Sequence, residues 1–84
     1  MGAIEDTPAE AEKMKLRSAL MMALKDNIRA QGLSQGQAAK LLGVTQARVS
    51  DLLRGKINLF GLDTLVNMAV AAGLRVDMRV RKAA

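Results

Sequence analysis

Gly43 separates two short stretches patterned as helices, and the residues around it, 34–56, leave the backbone few ways to run. The first stretch opens on Ser34-Gln35-Gly36-Gln37, an S-x-x-Q capping box in which serine and glutamine each satisfy a backbone N–H that the helix leaves open. The second opens after Thr45, whose hydroxyl suits an N-cap. A tight bend needs a residue that takes positive φ at no steric cost, which glycine does. A close crossing of two helices needs a small residue, and Ala39 supplies it in the turn before Gly43. The second helix must then anchor an inner face, and Val49, Leu52 and Leu53 recur at i, i+3 and i+4 to do so, before Gly55-Lys56 ends it.

The rest of that second helix points outward. At about 100° per residue, Ala47, Ser50, Asp51 and Arg54 lie opposite the apolar stripe, with Arg48 on one flank and Gln46 in the first turn. A helix laid in the major groove of DNA touches base edges mainly with its N-terminal residues, which puts Gln46, Ala47 and Arg48 in place. A glutamine amide pairs bidentately with adenine, an arginine with guanine, and an alanine methyl packs on a thymine methyl. Lys40 and Lys56 are placed for phosphates. An ordinary helical hairpin with a solvated polar face would bury the same apolar triad. The coincidence of cap, small residue, turn glycine and triad favours double-stranded DNA as the partner.

Charge agrees with this. The net charge is +5, and it is unevenly spread. Residues 1–32 balance five basic side chains against five acidic ones, whereas residues 33–84 carry eight basic (Lys40, Arg48, Arg54, Lys56, Arg75, Arg79, Arg81, Lys82) against three acidic (Asp51, Asp63, Asp77). The whole excess lies in the part of the chain that contains the two short helices, as expected for a polyanionic partner. The chain has no cysteine and no histidine, which removes disulfides, the usual zinc sites and Cys/His or Ser/His nucleophiles. No catalytic, cofactor-binding or metal-ligating set is therefore expected, and an enzyme is disfavoured. Phe60 is the only aromatic residue, so stacking on single-stranded RNA is disfavoured too. No stretch reaches the 18 or so apolar residues of a membrane span and no signal peptide opens the chain, which sets the expectation of a soluble, cytoplasmic protein without a membrane partner.

Upstream, Thr7-Pro8-Ala9-Glu10 reads as a helix start, with a capping threonine, a proline at the first helical position and a glutamate completing the box. Nothing breaks that helix before Gly32, although a kink near its middle is expected; Leu20, Leu24 and Ile28, with Met21 beside them, form its apolar stripe. Gly36, inside the first helix of the pair, costs about 1 kcal/mol against alanine, and close approach of the backbone to a phosphate is the one role the sequence offers it. Downstream, Ile57, Leu59 and Phe60 form an apolar connector that must turn inward. A further helix runs from Leu62 to Ala72, with Leu62, Leu65, Val66 and Ala69 on one face and Gly73 as its stop. The last segment alternates Leu74, Val76, Met78 and Val80 with Arg75, Asp77, Arg79 and Arg81, the period of a half-buried strand. With no other strand in the chain, the same segment of a second copy is the expected partner, a two-fold ribbon; a frayed tail is the alternative.

These residues resemble the Xre/Cro-like helix-turn-helix family of phage repressors over roughly Leu24 to Gly73. Within it, the run TQARVSDLLRGKINLFGLDTLVNMAVAAGLRV is similar to HigA-type antitoxins and their stand-alone regulator relatives. The resemblance implies an operator-binding homodimer that represses transcription, and more narrowly a toxin partner that cleaves messenger RNA. By the same analogy Gln35 contacts a phosphate, while Gln46 and Ala47 face bases. The expected fold class is all-α, a five-helix Xre/Cro-like helix-turn-helix domain with one short C-terminal β-strand pairing across a homodimer. One domain is expected over 1–84, with an N-terminal arm and helix start in 1–17, the helix-turn-helix in 34–54 and the dimerisation strand in 74–82. The expected DNA-contacting residues are Gln35, Thr45, Gln46, Ala47, Arg48, Ser50, Asp51, Arg54 and Lys56. Those expected to make the dimer are Leu74, Val76, Met78 and Val80. A regulator without a toxin and a protein-interaction module remain as alternatives.

Overall fold

Thr7, Ser34 and Thr45 each start a helix in the computed structural model, which describes residues 7–77 and 79–82. Four α-helices follow one another: α1 (Pro8–Ala30), α2 (Gln35–Leu42), α3 (Gln46–Leu53) and α4 (Leu62–Ala71), with a single 3-10 turn at Ile57–Leu59 between the last two. The Thr7 hydroxyl accepts the Glu10 N–H at 3.1 Å, and Pro8 occupies the first turn of α1. Both arms of the Ser34–Gln37 capping box are formed, at 2.9 and 3.1 Å.

The expectation of five helices is corrected. The long first helix is continuous over its 23 residues, because neither glycine nor proline interrupts its hydrogen-bond ladder between Pro8 and Gly32. The expected C-terminal β-strand is corrected as well. Among the described residues there is no strand, and residues 74–77 and 79–82 run without regular structure. A solitary alternating segment has no ladder to join within one chain. Its first apolar residue instead turns down onto the helices: Leu74 is half-buried against the core.

All four helices close in the same way. The residue just past each turn donates its N–H back to a carbonyl five residues earlier: Leu33 to Ile28 (3.1 Å), Val44 to Ala39 (3.0 Å), Lys56 to Asp51 (3.1 Å) and Leu74 to Ala69 (2.9 Å). At the bend between α2 and α3 this requires the left-handed backbone of Gly43, with φ 72°, a conformation that costs an L-residue about 1–2 kcal/mol.

One core holds the helices together. Met21, Leu24 and Ile28 from α1 meet Ala38, Ala39 and Leu42 from α2, Val49 and Leu52 from α3, and Leu65, Met68 and Ala69 from α4. Phe60, just beyond the 3-10 turn, is the largest side chain fully inside. The small side chain of Ala39 allows α2 to approach α3 closely, and α1 lies along α4. The connector turns inward only in part, since Phe60 is buried and Ile57 half-buried while Leu59 is exposed. No described helix is long and apolar enough to cross a membrane.

Candidate nucleic-acid interface

The first turn of α3 carries the most informative side chains. Thr45 holds an extended backbone and its hydroxyl accepts the Arg48 N–H at 3.1 Å, which fixes where the helix begins. Gln46 and Ala47 follow, and both are exposed. Gln35, the first residue of α2, is exposed as well, and the Gln46 amide lies across the next residue, Gly36. The start of α3 thus meets the start of α2 at Gly36, the residue that follows Gln35. The Val49–Leu52 stripe that orients this face is wholly buried.

Three further expected contact residues, Arg48, Asp51 and Lys56, are engaged within the chain. Arg48, expected among the base readers, is half-buried; its Nη1 donates to the Leu59 carbonyl at 3.3 Å and its guanidinium lies 5.4 Å from the centre of the Phe60 ring. Asp51 does not stand alone on the outer face, because its carboxylate pairs with the Lys56 ammonium at 3.9 Å. Lys56 is correspondingly shared between that carboxylate and any phosphate. Ser50 is half-buried, and Arg54 and Lys40 are exposed cations.

Lys25 was not singled out from the sequence. It belongs to α1, yet its Nζ lies 4.0 Å from where a Cβ would stand on Gly55, beside the C-terminal end of α3, where a cation also meets the negative end of the helix dipole. Only tertiary packing brings positions 25 and 55 together, so no local pattern could have marked it.

α1, α4 and the C-terminal segment line a groove of about 220 Å³, mainly with Leu16, Leu20, Leu62, Val66, Leu74 and Val76 and with no residue of α2 or α3. Of the residues expected to make a dimer, Leu74 and Val76 sit at this groove, Val80 is 87% exposed, and Met78 lies outside the described residues. Among the described residues no group of carboxylates is arranged to hold a metal ion.

A capped turn between two short helices, with the second presenting its polar first turn outward, defines a helix-turn-helix protein. A family model described as a helix-turn-helix domain matches residues 3–81. A solved structure described as that of an XRE family transcriptional regulator is 32% identical and superposes with a TM-score of 0.79, over 88% of this chain and 83% of that chain. No curated protein matches the chain. The chain belongs to the helix-turn-helix family of XRE-type, DNA-binding transcriptional regulators.

Proposed function

We propose that this chain represses transcription by seating α3 in the major groove of an operator, two copies to a two-fold site. The observation that carries this reading is the exposure of Gln35, Gln46 and Ala47 at the starts of α2 and α3, with the Gln46 amide against Gly36, while the Val49–Leu52 stripe is fully buried. Gln46 offers both donor and acceptor to an adenine edge, and the Ala47 methyl meets a thymine methyl. Gln35 and the open N–H groups at the start of α2 take a phosphate. Lys40, Arg54, Lys56 and Lys25 add charge around that contact, and Arg48 holds α3 rather than reading a base.

The apolar groove behind α1 and α4 supports the second copy. Leu16, Leu20, Val66 and Val76 line it, and Val70 and Val80 nearby in sequence are strongly exposed, so a partner chain covering this side would bury apolar surface that is otherwise wet. Two recognition helices related by a two-fold axis fit two half-sites one helical turn apart.

Selection of duplexes from a random-sequence pool tests the whole reading. The expected result is an enriched, two-fold symmetric motif, bound with an affinity that falls steeply as salt rises. Enrichment of no motif, together with salt-independent binding, would sink it.

The similarity of the Val49–Lys56 run and its continuation to HigA-type antitoxins supports a narrower role as the antitoxin of a toxin–antitoxin operon, with residues 4–17 as the toxin contact. Glu10, Lys13, Met14 and Lys15 on the described part of that arm are exposed. Co-purification of the neighbouring gene product with the full chain, and its loss on removing residues 1–17, would support this; an unrelated neighbouring gene leaves a regulator that acts alone.

A further inference from the structure

Gly36 has no backbone reason to be glycine. It is the second residue of α2 and its φ is not in the left-handed region, so alanine would suit the helix better. What a side chain would meet there is Gln46. A Cβ built on Gly36 stands 3.2 Å from Nε2 and 3.8 Å from Cδ of Gln46, and 4.0 Å from Oγ of Ser34. The first of these is closer than ordinary van der Waals contact, so a methyl group would displace the amide by a few tenths of an ångström.

We propose that Gly36 is a specificity-determining residue: by carrying no side chain it forms a shelf against which the Gln46 amide lies, and so sets the position from which that amide meets a base. The inference rests on the DNA-reading function proposed above. An exposed glutamine at a helix start has three rotatable bonds and no fixed direction of its own. The backbone of Gly36 beside the amide removes one side of that freedom. Bidentate pairing with adenine needs the amide oxygen and nitrogen aligned together with two base atoms, and recognition constellations tolerate displacements of only about 0.5 Å. A shift of the kind a methyl imposes is small for packing and large for this pairing. The glycine thus exchanges helix stability for geometry at the reading edge.

The sequence alone left Gly36 a different role, close approach of a phosphate to the start of α2. The two roles separate cleanly, because a phosphate contact is blind to sequence and Gln46 is not.

The test uses the full chain with Gly36→Ala, Gln46→Ala and the double variant, against the duplex that the wild-type chain selects from a random pool and against an unrelated duplex. Gly36→Ala should melt at a higher temperature than wild type, yet bind the selected duplex about tenfold more weakly, with preference relaxed at one position per half-site. Gln46→Ala should relax the same position, and the double variant should bind no worse than Gln46→Ala. An equal loss on both duplexes would assign Gly36 to phosphate approach and overturn the proposal. Unchanged affinity and preference in Gly36→Ala would overturn it as well, while leaving the DNA-reading function intact. Failure of the wild-type chain to select any duplex would remove both.

Discussion

The Arg48 guanidinium and the Phe60 ring face each other at 5.4 Å, and the same guanidinium donates to the carbonyl of Leu59. One arginine thus ties the recognition helix to the connector that follows it. A cation over an aromatic face contributes about 0.5–1 kcal/mol where solvent is near. Arg48→Ala should therefore lower the melting temperature modestly and weaken binding to specific and unrelated duplexes alike, because α3 loses a strut. Base preference should stay as in wild type. A change of preference confined to one base pair, read by repeating the pool selection, would make Arg48 a reader instead.

Reading and charge contacts should separate by their salt behaviour. Gln46→Ala should cost about 1–3 kcal/mol on the selected duplex and almost nothing on an unrelated one. Lys40→Ala should weaken both equally and reduce the slope of log affinity against log salt by about one. Arg54→Ala should follow Lys40→Ala. Fluorescence anisotropy titrations at several salt concentrations distinguish the two patterns. An unchanged slope in both cation variants would place the phosphate contacts elsewhere.

Phe60 is the chain's only aromatic residue and is 1% exposed at the centre of the core. Truncation of a buried phenylalanine to alanine costs about 3–5 kcal/mol. Small domains have little more than that in reserve. Phe60→Ala should be largely unfolded at 37 °C by circular dichroism, whereas Phe60→Leu should fold with a lowered melting temperature. A native melting curve for Phe60→Ala would show that the helices hold without it.

Self-association should depend on the groove behind α1 and α4. Ending the chain after Leu74 preserves the closing hydrogen bond of α4, from the Leu74 N–H to the Ala69 carbonyl, and removes Val76 and Val80. That truncation should remain helical but become monomeric by light scattering, with much weaker affinity for a two-fold operator. Val76→Glu should act in the same direction. A dimer that persists in both would move the interface to another face.

Capping and periodicity made most of the helical fold legible in advance. Thr7, Ser34 and Thr45 are local signals, and each began a helix where its hydroxyl could reach the third residue beyond it. Val49 and Leu52 were correctly assigned inward because one face of a helix repeats every three to four residues. The C-terminal segment was misread for a physical reason. Alternation of Leu74, Val76, Met78 and Val80 has the period of a half-buried strand, but among the described residues only Leu74 packs on the helices, without a ladder, while Val76 and Val80 stay exposed. The exposure of Gln46 and Ala47 was readable from helix geometry, but the engagement of Arg48 with Phe60, of Asp51 with Lys56 and of Lys25 near Gly55 was not. The Arg48 and Lys25 contacts join positions far apart in sequence. The Asp51–Lys56 pair spans a helix end whose direction depends on the turn. Gly36 was visible as an anomaly, and only the position of the Gln46 amide gave it a reason.

The shared way in which the four helices stop bears on how the chain reaches this shape. Each reversal is closed by a hydrogen bond spanning five residues, so the bends between helices are specified by local sequence. Proteins dominated by such near-neighbour contacts fold in microseconds to milliseconds. A regulator made this way should regain its reading surface within that range after unfolding, which stopped-flow refolding would measure.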